Sequence, residues 1–127
     1  SNGIPLRQQW IVNDRSDEQG IFQSFNLPEV LPTAFVCNCD ESAYHFINYL
    51  KSLDYRVPDD ISIVGYDNHI YSTISNPAIT TVDVNSRTMS AEAVNIIIKK
   101  IRDKGFRSGR TLVTGKITKR DSVKRLG

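Results

Sequence analysis

The sequence predicts an α/β fold, a parallel open sheet with helices on both faces. Between Thr33 and Val64, two short runs of β-forming residues bracket a segment whose apolar residues recur at helical spacing. The second run, Ile61 to Val64, is apolar almost throughout, the pattern of a strand covered on both sides, and Gly65 closes it. A further strand and helix follow before residue 103, so strands and helices alternate along the chain and the layered α/β class follows.

Taken in order, Gln9 to Asn13 reads as a first strand with Trp10 in the core, and a helix is expected from about Ser16 to Phe25. Thr33 to Asn38 is the next strand. Asp40 opens a helix whose inward positions are Ala43, Phe46, Ile47 and Leu50. Pro58 prevents that helix from continuing, and Ile61 to Val64 forms the strand after it. Asn68 to Pro77 carries His, Asn, Ser and Pro and reads as a loop or short helical turn. Ile79 to Val84 is a strand, and Asn85 or Ser86 caps a helix running to about Asp103. Met89, Ala93, Ile96, Ile97 and Ile101, widened by Val94 and Ile98, give this helix an apolar face suited to packing on a sheet. Thr111 to Val113 and Lys116 to Thr118 are short strand candidates.

The 127 residues fit one domain, and 16 basic against 14 acidic residues give a net charge of +2, far from the concentrated field of a nucleic-acid surface. The basic residues Lys116, Lys119, Arg120, Lys124 and Arg125 read as a solvated strand edge. No apolar run approaches the roughly 20 residues that span a bilayer, so no membrane partner is expected. Ser1 and Asn2 read as a cloning remnant, leaving 3–127 as the folded unit. Met89 is the only methionine, so the chain reads as a fragment. Cys37 and Cys39 lie two apart on one expected strand, a spacing that disfavours a bridge. They read as free thiols of a cytoplasmic protein, without the ligand spacing of a metal site.

In an open parallel sheet, ligands bind outside the carboxyl ends of the strands. Asp40 and Asp67 stand at two such ends and are therefore expected to face one cleft. The Pro32-Thr33-Ala34 start of one strand, the string VPDDISIVGYDN from Val57 to Asn68, NPAITTVDVNSRTMSAEAVNIIIKKI from Asn76 to Ile101 and GRTLVTGKITKRDSV from Gly109 to Val123 resemble the sensor domains of the lactose-repressor family. The resemblance covers nearly the whole chain. It implies one lobe of a type I periplasmic-binding-protein-like sensor, about half of a two-lobed domain, with residues of about 79–110 crossing toward the other lobe. It implies a bacterial regulator that binds DNA through an amino-terminal domain outside this chain and takes a small-molecule effector between its lobes.

The same resemblance assigns ligand contacts. Asp67 falls where the family places an acidic residue that accepts hydrogen bonds from ligand hydroxyls. Asp40 is either a second contact or the cap of its helix. Cys39 stands where relatives carry an asparagine, and a thiol is the weaker hydrogen-bonding group. Arg15 stands where an aromatic residue often closes over the ligand, and its guanidinium suits a phosphate or carboxylate, so a sugar or a phosphorylated or anionic sugar is expected. Val84 replaces a glutamine. Tyr44, Ile47, Lys51, Ile70 and Tyr71 fall at the family's dimer contact, and a homodimer is expected.

No cofactor is expected and no enzyme. The cysteines with His45 and His69 show no nucleophile and base setting, and there is no glycine-rich phosphate loop. The competing reading is the second lobe of a periplasmic sugar-binding protein of a transport system.

Overall fold

The computed structural model describes residues 5, 7–16, 20–21 and 25–125, so Ser1 and Asn2 lie outside the described residues. Its centre is the strand, helix, strand unit. Strand β3 (Ala34–Val36) pairs in parallel with β4 (Ser62–Val64), in the register Ala34 to Ser62, Phe35 to Ile63 and Val36 to Val64. A parallel bridge from Val64 to Thr80 sets β5 (Thr81–Asp83) beside β4, and β6 (Lys116–Thr118) closes the edge antiparallel to β5.

Helix α1 (Asp40–Ser52) forms because its apolar residues stack on one side and its ends are capped. The Cys39 sulfur accepts the Ser42 amide at 3.4 Å, Asp40 and Glu41 occupy the first turn, and Lys51 the last, all favourable to the helix dipole. Ala43, Phe46, Ile47 and Leu50 are buried against the sheet, joined by Phe25, Phe35, Ile61, Ile63 and Ile79. The ring of Phe46 packs 4.8 Å from that of Phe25 and edge-on to Phe35 at 4.9 Å. β3 alternates as a strand must: Phe35 points into this core while Ala34 and Val36 are exposed. Ser122 ties the return segment to the sheet, its hydroxyl donating to the Ile63 carbonyl at 2.5 Å and accepting the Thr80 amide at 2.9 Å.

Several expectations are corrected. The expected first strand is a 3-10 turn, Gln8–Trp10, followed by residues 11–14 with no strand partner among the described residues. Trp10 is 41% exposed rather than core, with the Arg7 guanidinium 5.0 Å over its ring. Within the helix expected from Ser16 to Phe25, β1 (Arg15–Ser16) and β2 (Gly20–Ile21) pair as a short antiparallel ladder, and residues 17–19 and 22–24 lie outside the described residues. Gly20 disfavours a helix here, since glycine costs a helix about 1 kcal/mol relative to alanine. Residues 111–113 form no strand.

Helix α2 (Tyr71–Ile74) is the expected helical turn, and α3 (Ser86–Arg102) is capped by the Asn85 side chain, which accepts the Thr88 amide at 3.3 Å. The apolar stripe of α3 does not pack on the sheet. None of its residues is buried, and Ile101 is 74% exposed. The core that α1 builds against the sheet takes no residue of α3.

Candidate functional site

Three backbone segments meet at the carboxyl edge of the sheet: Asn38 to Asp40 after β3, Gly65 to His69 after β4, and Asp83 to Asn85 after β5. They are joined by main-chain bonds. The Asp40 amide donates to the Tyr66 carbonyl at 2.9 Å, the Gly65 amide to Thr80 at 2.9 Å, and the Asp67 amide to Val82 at 3.0 Å.

Asp67 is exposed at this edge, and its carboxylate has no hydrogen-bond partner among the described residues. Its backbone is left-handed, φ 96°, and so is that of Asn68, φ 53°. Two such non-glycine residues in succession are uncommon, and the second is gripped. The Asn68 amide nitrogen Nδ2 donates to Asp83 Oδ2 at 3.1 Å, its Oδ1 accepts from the Arg120 guanidinium at 2.7 Å, and its main-chain N–H reaches Thr81 Oγ1 at 3.3 Å.

Asp40 is placed differently from the expectation that it faces the cleft. It is 1% exposed and is the first residue of α1, with Cys39 rather than Asp40 as the cap. Its Oδ2 accepts the His69 amide at 2.7 Å, pinning the loop that carries Asp67. Its Oδ1 is buried without a partner among the described residues and lies where a Cβ on Gly65 would stand at 2.1 Å. The amino end of α1 supplies the compensating positive field. Cys39 is half-buried, its sulfur committed to the helix cap. Arg15 lies in β1, and its side chain is outside what the structure describes.

Beside this edge, an open pocket of about 280 Å³ is walled by Trp10, Val36, Cys37, Asn38 and Phe46, with Asp14 at its rim. Asp14 Oδ2 accepts the Ser42 hydroxyl at 2.8 Å, which ties the segment before β1 to the first turn of α1. Sequence reasoning missed Asp14, Asn68 and Arg120. The adjacent Asp-Asn pair in a strand-ending turn was the available signal, because two non-glycine residues there need side-chain anchors.

Both cysteines are free thiols. Burial pushes the Cys37 thiol from its ordinary 9.0 up to about 12, helped by the negative groups Cys39, Asp14 and Asp40. Because the folded value lies above the unfolded one, the contribution of Cys37 to stability is complete below pH 9 and is lost as the pH rises toward 12. At pH 8 its thiolate fraction is about a thousandfold below that of an ordinary thiol, offset about twentyfold by higher intrinsic nucleophilicity. Alkylation by iodoacetamide is therefore expected to be roughly 50-fold slower at Cys37 than in the urea-unfolded chain. Mass spectrometry of quenched time points, reading the peptide that holds Cys37, checks this.

On the outer side of α1, Tyr44, Tyr71 and His69 form an aromatic patch, with rings 5.3 Å apart for the two tyrosines and 5.6 Å for His69 and Tyr71. The nearby Glu41 carboxylate, by its charge and then its hydrogen bond, raises the Tyr71 phenol. Ile70 and Ile74 are exposed beside the patch, and Lys51 donates to the Asn76 carbonyl. Ile47 is not at this surface: it is fully buried in the core, because it shares the inward stripe of α1 with Ala43 and Leu50.

A parallel sheet with a pinned acidic loop at its carboxyl edge presents that loop where open α/β sheets bind ligands. Among the described residues no group of three or more His, Cys, Asp or Glu side chains converges as a metal site. Residues 1–123 match the periplasmic binding protein-like domain, and the chain belongs to that family. Within it, the relatives are regulators of the lactose-repressor type. Over 102 residues the chain is 37% identical to the HTH-type transcriptional repressor PurR of Actinobacillus pleuropneumoniae serotype 3, covering 78% of this chain and 30% of the relative. A LacI family transcriptional regulator from Lactobacillus casei with bound sucrose superposes with a TM-score of 0.64 at 28% identity, covering 77% of this chain and 36% of that one. The lac repressor dimer bound to operator and the anti-inducer ONPF gives 0.65 at 26% identity, covering 72% and 32%. The chain thus spans about a third of the length of the curated relatives it matches.

Proposed function

We propose that this chain is the second lobe of the effector-binding domain of a cytoplasmic, DNA-binding transcription regulator, and that it senses a sugar or sugar derivative by binding rather than by chemistry. The observation that carries the reading is Asp67, an exposed carboxylate without a hydrogen-bond partner among the described residues, held at the carboxyl edge of a parallel sheet. Two acceptor oxygens suit vicinal hydroxyls. The sucrose-bound regulator from Lactobacillus casei supports the ligand class, and the operator-bound lac repressor dimer supports DNA binding and a dimer.

In this reading Asp67 contacts the ligand, Cys39 lines the cleft, and Asp40 supports the site from beneath. The described carboxylates Asp14 and Asp67 favour an uncharged polyhydroxyl ligand, whereas Arg15 is the group that would admit a phosphorylated one. The dimer contact comprises Tyr44, Lys51, Ile70 and Tyr71. Residues of about 79–110 cross to the first lobe, which covers the apolar stripe of α3. Effector binding closes the lobes and shifts a two-state equilibrium, with about 1–3 kcal/mol of coupling to DNA binding.

The test is calorimetric titration of the full-length regulator with a panel of mono- and disaccharides and their phosphates. Asp67→Ala is expected to weaken the best ligand by about 10- to 100-fold, the worth of one or two hydrogen bonds to a charged group. Undiminished affinity in that variant would remove Asp67 from the site. Equal affinity for a sugar and its phosphate would remove the role of Arg15.

A further inference from the structure

We infer that Asn68, gripped between Arg120 and Asp83, is a positioning residue that holds Asp67 in its left-handed conformation and ties it to the strands through which the chain leaves and re-enters the lobe. The inference rests on the reading of Asp67 as a ligand group. The anchors come from two separate segments. Asp83 ends β5, the strand from which the chain departs, and Arg120 follows β6, the strand on which it returns. Arg120 is itself fixed, with one guanidinium nitrogen on the Ile79 carbonyl at 2.9 Å, the other on Asn68 at 2.7 Å, and its main-chain N–H on Thr80 Oγ1 at 2.9 Å. Asp83 is fixed as well, its Oδ1 accepting the Asn85 amide at 2.8 Å.

A left-handed Asn68 therefore has both ends of its side-chain amide bonded on the β5 and β6 side, while the preceding Asp67 has no carboxylate partner among the described residues and its N–H on Val82 of β5. A displacement of the paired strands moves both anchors of Asn68 together, and with them the backbone that aims Asp67. Conversely, a ligand that pulls Asp67 loads those strands. The linkage is a hydrogen-bonded path from the ligand edge to the crossing point, built from residues 52 positions apart in sequence.

Two variants of the full-length regulator separate this role from simple structural support. Asn68→Gly keeps the left-handed backbone accessible but removes the grip, and Arg120→Lys keeps the charge but loses the forked donor. Hydrogen exchange at the Asp67 amide, read by NMR without any ligand, is expected to accelerate by about tenfold in each variant. The double variant should be no faster than either alone. Unchanged exchange in Asn68→Gly, or effects that multiply in the double variant, would overturn the inference. Titration with sucrose as the probe then reads the link to binding. About tenfold weaker binding in Asn68→Gly, vanishing in an Asp67→Ala background, supports the coupling to ligand. Accelerated exchange with unaltered sucrose affinity would leave the clamp in place and refute the reading of Asp67 as the ligand group.

Discussion

Replacing Gly65 with alanine is expected to destabilise the fold by about 3 kcal/mol, near the upper end of overpacking penalties. The added Cβ would stand 2.1 Å from Asp40 Oδ1 and 3.1 Å from Ile79 Cγ2. Neither neighbour can yield cheaply. Asp40 is 1% exposed and its other oxygen is held by the His69 amide, and Ile79 is fully buried in the core. Urea unfolding monitored by circular dichroism gives the difference, with the midpoint falling at unchanged slope. The same substitution in an Asp40→Ala background should cost clearly less beyond that variant, because the colliding oxygen is gone and only the 3.1 Å approach to Ile79 remains. An equal penalty in both backgrounds would show that the carboxylate contact is not the cause. A glycine that ends a buried strand is thus here a requirement of packing, set by a carboxylate from the neighbouring strand's exit.

Ile47→Ala is expected to cost about 3 kcal/mol, within the range for deleting buried aliphatic groups. Ile47 has no exposed surface and sits among Ala43, Leu50 and Ile63. Ile70→Asp, at a residue 57% exposed on the aromatic patch, is expected to change stability by less than about 0.5 kcal/mol. In the full-length regulator it should instead shift the monomer and dimer equilibrium toward monomer, as measured by sedimentation. A stability loss in Ile70→Asp comparable to that in Ile47→Ala would place Ile70 in the fold's core and remove it from the proposed dimer surface.

The strand, helix, strand unit was legible because its signals are local: a 3.6-residue stripe, a helix start with acidic residues, and an apolar strand ended by glycine. The position of Asp67 at a strand end followed from the same pattern. What was not legible depends on contacts between distant residues. Asp40 is identical in sequence terms whether it faces a ligand or a buried amide, and only the approach of Gly65 and His69 decides between them. Arg120 reads as one more charge in a basic run until Asn68 is brought to it. Ile47 was assigned to two faces of one helix at once, and the stripe shared with Ala43 and Leu50 settles it. The amphipathic pattern of α3 states that the helix has a partner and says nothing of which surface that is. Trp10 was assigned to the core on size alone, without a strand partner to draw it in.

Because Asp83 and Lys116 are direct partners across the β5 and β6 pair, the chain leaves the lobe and returns to it through one doorway. Everything between them hangs from that doorway, and the buried core takes no residue from it. The lobe and its excursion are thus joined in series rather than interwoven. Sequence change in α3 can proceed without disturbing the packing around Phe46, and the carboxyl edge of the sheet can be retuned without redesigning what α3 touches. Such a layout lets one side of the β5 and β6 pair diverge while the other keeps its own contacts.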